Sequence, residues 1–258
     1  MKIQLLPSSF DAQGEASPEQ RFTCFLLDDC LAVDAGSLAL ALDDTQRQQV
    51  RDVIITHPHM DHIASLPIFI DDLFSELTEP VRVYATPEII AALERDIFNW
   101  TVYPRFSELR NAHGPVMQYV PVILGEEFSV RHLRVSTVLV NHIVQTFGLV
   151  VRDETATVAF SSDTAATDDF WRLLNAQKRF DALFIETSFP DELAELAWVS
   201  RHFTPASLAQ ELTKLQGHEP DIFIVHIKPA YRAQVIRELE ALGHPKLKIM
   251  RAGHNYEW

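Results

Sequence analysis

Apolar residues in this chain arrive in short runs that alternate with longer, helix-spaced stretches. Runs at Ile3–Leu6, Phe22–Leu27, Cys30–Val33, Val53–Ile55 and Val81–Ala85 have the length and composition of strands. Between and after them, Leu38–Val50, Ile63–Leu77 and Pro87–Trp100 space their apolar positions for helices, and Pro87 suits a first turn. The second half repeats this vocabulary, with strands expected at Leu133–Val140, Phe147–Val151, Ala156–Phe160, Ala182–Ile185 and Ile222–Val225. One further helix begins at Thr204-Pro205, carries Leu208, Leu212 and Leu215 on one face and closes at Gly217. Another covers Pro229–Leu242 and closes at Gly243. Strand meanders interspersed with helices in both halves predict two sheets covered by outer helices, an α/β sandwich rather than a regular βαβ repeat.

The segment Thr23–Val33 reads as a hairpin turning at Asp28-Asp29. That register sets Cys30 opposite Leu27 and Cys24 opposite Val33, which argues against a disulfide between these two cysteines. Two free thiols fit a reducing compartment.

No repeat or Pro/Gly/Ser linker divides the 258 residues, so one domain over 1–258 is expected. The opening residues Met1–Pro7 are too short an apolar stretch for a leader, and no run reaches bilayer length. A cytoplasmic protein without a membrane partner is the expectation. Acidic residues outnumber basic ones by 36 to 22, a formal charge of −14. Such a field repels a long nucleic acid but not a small anion held by metal ions.

The chemistry sits just past the ends of the apolar runs. His57-Pro58-His59-Met60-Asp61-His62 follows Val53–Ile55, His142 follows Leu133–Val140, and Asp163 follows the run ending at Phe160. Glu186 follows Ala182–Ile185, and His226 follows Ile222–Val225. Three imidazoles and a carboxylate within six residues suit a divalent metal and little else. Strand ends can converge on one cleft while their backbones stay rigid. His113, His132, His218, His244 and His254 lack such a setting and read as ordinary surface or hydrogen-bonded residues. Phe98 and Trp100 could offer a stacking face, but closing the preceding helix against the core is the simpler role, and Arg105 could pair with a surface acid.

These residues carry a family resemblance. Asp34-Ala35-Gly36-Ser37, Thr56–Ile63, Asp96–Trp100, Ser161-Ser162-Asp163-Thr164, Phe184–Pro190, His202-Phe203-Thr204-Pro205 and Val225–Pro229 resemble the metallo-β-lactamase superfamily, and within it the class II 3′,5′-cyclic-nucleotide phosphodiesterases. The resemblance implies an αβ/βα four-layer sandwich with a two-metal site at one edge. It gives His57, His59 and His142 to one metal, Asp61, His62 and His226 to the other, and Asp163 to both. Glu186 and His202 resemble a carboxylate–histidine pair beside the metals, with His202 protonating the leaving oxygen. Glycine is usual in relatives where Arg201 and Ser65 stand.

The implied activity is hydrolysis of 3′,5′-cyclic nucleotides, cyclic AMP foremost, to 5′-monophosphates by a hydroxide activated between two divalent metals and steadied by Asp61. Zinc is the expected metal, with manganese or iron admitted by the same ligands. The partner is then a small cyclic nucleotide, and relatives are often homodimers. The rival readings are another hydrolase on this scaffold, such as an RNA-processing phosphodiesterase, an arylsulfatase or a lactonase, and a non-enzymatic metal-stabilised binding protein. The Glu186–His202 pair favours phospho- or sulfo-ester chemistry over lactone opening, and a binding protein would not be expected to keep all seven ligands.

Overall fold

The apolar runs become strands in the computed structural model, which describes residues 1–258. In chain order the strands are β1 (Lys2–Leu5), β2 (Phe25–Leu27), β3 (Leu31–Val33), β4 (Asp52–Ile54), β5 (Val81–Ala85), β6 (Met117–Pro121) and β7 (Glu127–Val130). There follow β8 (Leu133–Leu139), β9 (Phe147–Arg152), β10 (Thr157–Phe160), β11 (Ala182–Glu186), β12 (Asp221–Val225), β13 (Leu247–Ile249) and β14 (Asn255–Glu257). The helices are α1 (Leu38–Ala41), α2 (Asp44–Gln49), α3 (Met60–Ile63), α4 (Leu66–Leu73), α5 (Pro87–Asp96), α6 (Asp169–Asn175), α7 (Ala194–Ser200), α8 (Pro205–Leu212) and α9 (Arg232–Ala241). None is long and apolar enough to cross a membrane.

Two seven-stranded sheets result, ordered β14-β1-β2-β3-β4-β5-β6 and β13-β12-β11-β10-β9-β8-β7. Each begins as an antiparallel meander and turns parallel, at β3–β6 in the first and β10–β13 in the second. The main core lies between the sheets and extends under the helices of the first. Phe25 of the first sheet meets Phe160 of the second with ring centroids 4.9 Å apart, and Phe160 stacks on Phe184 at 4.8 Å. A second apolar cluster, including Trp171, Leu174, Leu208, Val235 and Leu239, seals α6, α8 and α9 against the outer face of the second sheet. This is the expected αβ/βα four-layer sandwich. The parallel strands leave their carboxyl ends free to build a cleft, as such sheets generally do.

Local details differ from the pattern-based expectation for identifiable reasons. The β2–β3 hairpin pairs Leu27 with Leu31 and Phe25 with Val33, one residue away from the expected register. Asp28 and Asp29 both adopt positive φ, and Cys30 joins the turn by donating its N–H to Leu27 O. Both cysteines are nonetheless free. The helix expected over 38–50 divides because Asp43 forms a capping box with Gln46 and starts a new helix. The one expected over 63–77 begins earlier, at Met60, and divides at Ser65. The Ser65 hydroxyl donates to Ala35 O at 2.8 Å and accepts from Ala39 N–H at 3.0 Å, and Pro67 then opens α4. Pro229–Tyr231 is a 3-10 turn that leads into α9. Phe98 is fully buried, as its helix-closing role requires, whereas Trp100 is exposed. Arg105 pairs with Glu94 and Glu108.

Candidate metal centre

The sequence-identified residues converge at one edge of the sandwich. His57 and His59 lie in the turn after β4, and Asp61 and His62 in the single turn of α3 that follows. His142 follows β8, Asp163 follows β10, Glu186 ends β11, and His226 follows β12. His202 follows the C-terminus of α7. Turning the chain into the cleft requires unusual backbone: Asp34, Ser162, Arg201 and His226 all hold positive φ without being glycine. Such residues are uncommon, and their concentration here marks a site the rest of the fold holds in place. The approach is closest at Gly36, where a Cβ would stand 2.1 Å from Asp61 O.

Hydrogen bonds to the far side of four of the five rings aim the near nitrogen inward. His62 Nδ1–H donates to Asp34 Oδ2 at 2.7 Å, and His142 Nδ1–H donates to Arg201 O at 3.1 Å. Thr56 Oγ1 donates to Asp34 and lies 3.1 Å from His57 Nδ1, whose N–H it can accept. His226 Nδ1 lies 3.0 Å from Ser188 Oγ. This is the usual way in which a protein fixes the tautomer and direction of a metal-binding imidazole.

The inward atoms then face one another. His59 Nδ1 lies 3.2 Å from His142 Nε2, and His62 Nε2 lies 3.4 Å from His226 Nε2. His57 Nε2 is buried without any hydrogen-bond partner, 3.6 Å from Asp163 Oδ2. A buried orphan nitrogen would be costly unless something else completes it. Asp163 stands centrally, Oδ1 3.3 Å from His62 Nε2 and Oδ2 3.5 Å from His226 Nε2. Ligand atoms of His57, His59, His142 and Asp163 lie within 4.8 Å of one another, as do those of Asp61, His62 and His226. Nitrogen and carboxylate donors so arranged fit divalent metal ions.

The protonation of His57, His59, His142 and Asp163 agrees with that fit. Burial, joined by the charge of His62, holds His57 well below the ordinary imidazole value, and burial also lowers His59. Burial pushes His142 down to about 4. Those three rings are therefore neutral, as ligands must be. Burial opposes ionisation of Asp163, but the surrounding imidazoles, His226 and His62 first, hold it well below the usual carboxylate range. His62 goes the other way, because Asp163 and Asp34 outweigh its burial and raise it.

Beside this cluster lies a distinct acid–base pair. His202 Nδ1–H donates to Glu186 Oε1 at 2.8 Å. Glu186 is almost wholly buried and also accepts from Thr164 N–H, Ser188 Oγ and Phe203 N–H, which fixes its rotamer. Burial lowers the basicity of His202, but the Glu186 charge and hydrogen bond more than offset this and raise it. Its Nε2 is left free beside the cluster, within reach of Asp163 and His226.

Four supporting residues lie in segments that carried the resemblance but were given no role of their own. Asp34 orients His62, Thr56 supports both Asp34 and His57, Ser188 links Glu186 with His226, and Lys228 Nζ donates to Asp61 Oδ2 at 3.1 Å. Asp34 carried the same signal as the ligands, a polar residue directly after an apolar strand. Thr56, Ser188 and Lys228 adjoin residues already singled out, but their chemistry depends on pairings that only the fold reveals.

An αβ/βα sandwich with an edge cluster of His and Asp ligands defines a metal-dependent hydrolase fold. Residues 26–227 match the model of the beta-lactamase superfamily domain, and the chain belongs to that superfamily. A probable 3′,5′-cyclic-nucleotide phosphodiesterase of Yersinia pestis is 26% identical over 226 residues, covering 75% of this chain and 62% of that protein. This chain thus spans under two thirds of that relative's length. Among solved structures, unliganded yeast PDE1 superposes with a TM-score of 0.78 at 15% identity over 98% of both chains. The metallo-beta-lactamase fold protein YhfI from Bacillus subtilis gives 0.75 at 15% identity over 99% of both.

Proposed function

We propose that this hydrolase cleaves 3′,5′-cyclic nucleotides, cyclic AMP foremost, to 5′-monophosphates. The observation that carries the reading is the Glu186–His202 pair, 2.8 Å apart, placed beside the ligand cluster. A phosphodiester has a poor alkoxide leaving group, and a positioned acid at that oxygen is what its cleavage needs. The Yersinia pestis relative, named a probable 3′,5′-cyclic-nucleotide phosphodiesterase, supports the same reading.

His57, His59 and His142 would hold one divalent ion, Asp61, His62 and His226 a second, and Asp163 both; zinc is our first assignment, with manganese or iron next. When bound, the ions supply Lewis acidity toward an attacking water and toward the phosphoryl oxygens. Asp61, kept ionised against its burial by His226 and Lys228, orients and steadies the water, whose proton is given up to solvent. The water oxygen bonds to phosphorus as the bond to O3′ breaks in line, and His202 gives its Nε2 proton to O3′. Glu186 keeps His202 charged and correctly turned until that transfer. No serine or cysteine nucleophile is required.

The test is turnover of 3′,5′-cyclic AMP and of bis(p-nitrophenyl) phosphate by the chelated and metal-restored protein, with His59→Ala alongside. Metal-dependent cleavage of cyclic AMP, lost in His59→Ala, is expected. Cleavage of the generic diester alone would move the substrate to another ester, and cleavage of neither would overturn the phosphodiesterase reading.

A further inference from the structure

Helix α7 is poorly integrated into the core: of its seven residues only Ala197 is buried. Leu196, Trp198 and Val199 stand in solvent, Trp198 at 66% exposure. Together they make a contiguous apolar patch, which is more telling than a single exposed side chain. Arg201 follows directly and adopts φ 59, a conformation that glycine enters without steric cost and arginine does not. The arginine has two attachments that a glycine would lack. Its Nη1 donates to Asn141 Oδ1 at 3.0 Å, and its guanidinium carbon lies 5.3 Å from the Trp198 ring centroid. Asn141 is itself anchored, its Nδ2 donating to Ala166 O. The Trp198–Arg201 pair therefore sets an exposed indole beside a half-buried guanidinium that Asn141 anchors.

Its position gives it a meaning. The main-chain oxygen of Arg201 accepts from His142, and His202 is the next residue. His202 is the acid that would meet O3′, and Arg201, with Trp198 beside it, lies next to it on the His142 side of the cluster. We propose that Trp198 and Arg201 form the base-binding platform of the site, stacking the purine of a nucleotide while the free guanidinium N–H groups contact its acceptor atoms. This rests on the cyclic-nucleotide reading above and adds to it a preference for purine nucleotides over base-free sugar phosphates.

The experiment measures binding, separately from turnover. Affinities of the metal-loaded native protein, Trp198→Ala and Arg201→Gly for 5′-AMP and for ribose 5-phosphate are determined by calorimetry. Stacking on an aromatic side chain is expected to favour 5′-AMP by about tenfold or more. Trp198→Ala should remove that preference and leave ribose 5-phosphate binding unchanged. Arg201→Gly keeps the carbonyl that holds His142 and should reduce the preference without loss of bound metal. An equal affinity of native protein for the two ligands, or an unchanged ratio in Trp198→Ala, would overturn the platform. A native dimer that dissociates in Trp198→Ala, with the ratio unchanged, would assign the surface to a second copy of the chain and likewise overturn it. Cyclic AMP turnover is read separately, so a platform failure is distinguishable from failure of the phosphodiesterase reading.

Discussion

Asp34 Oδ2 lies 2.7 Å from His62 Nδ1, and both groups are buried at the junction of the two sheets. Asp34 occupies a left-handed backbone position after β3, and its other oxygen accepts from the N–H and hydroxyl of Thr56. One carboxylate thus orients a ligand on α3 directly and the His57 turn through Thr56. Outer partners of this kind typically contribute tenfold to a hundredfold in metal affinity. Asp34→Ala should weaken zinc binding by that factor while leaving all seven ligands in place. Competition with a chromogenic chelator measures it, and native-like affinity would show that Asp34 is merely a buried acid.

In the proposed mechanism His202 supplies a proton to the leaving oxygen, so its importance should depend on the leaving group. His202→Ala is expected to lower kcat on cyclic AMP by about 10²–10⁴-fold. Its effect on bis(p-nitrophenyl) phosphate should be much smaller, because p-nitrophenolate departs without an acid. Equal losses on both substrates, or loss of bound metal by mass spectrometry, would contradict the assigned role.

Gly36 permits the β3 turn to lie against α3. A methyl group there would stand 2.1 Å from Asp61 O and 2.9 Å from Thr23 N, both backbone atoms that cannot step aside cheaply. Gly36→Ala should destabilise the fold by about 2–3 kcal/mol or more, the cost of overpacking. It should also weaken metal binding, since Asp61 must move. Thermal melting with and without zinc reads both effects, and a melting temperature within a degree or two of native would refute the packing argument.

Away from the cleft, Asp52 is a buried carboxylate that accepts from Arg82, Arg131 and Tyr84. Burial favours its neutral form, but the bonds and charge of Arg82, with Arg131 and Tyr84, prevail and lower it below the ordinary carboxylate value. Burial and the Asp52 charge push the Tyr84 phenol up to about 12. A depressed folded value means that the unfolded chain takes up the proton first. The stabilisation is therefore complete above about pH 5 and is lost as pH falls below about 4 and through the folded value. Asp52→Asn should cost about 3 kcal/mol at neutral pH. Urea melts should show the gap to native narrowing in acid, whereas a pH-independent gap would point to packing alone.

The candidate ligands were legible in sequence because they stand just past the ends of apolar strands, four of them crowded into His57–His62, and strand ends are what a sandwich edge collects. The same rule applied to Val33-Asp34 would have found the Asp34 support. What stayed hidden depends on contacts between distant segments, such as Ser188 with His226 and Lys228 with Asp61. Among the elements, buried strands were clear, while the short or half-exposed β6, β7, β13 and β14 lack a continuous apolar signal. Helix boundaries moved where a side chain captured the backbone, as Asp43 and Ser65 do. The β2–β3 register slipped by one because two aspartates accept left-handed backbone that sequence pattern does not advertise.

The most direct test follows phosphorus while metal is returned to the chelated protein. With 3′,5′-cyclic AMP as substrate, ³¹P NMR should show no product without metal. Zinc or manganese should then restore turnover, saturating near two equivalents per chain and giving 5′-AMP alone. Formation of 3′-AMP would contradict the placement of His202 at O3′. Absence of either product at full metal occupancy would contradict the assignment of this site to cyclic nucleotides.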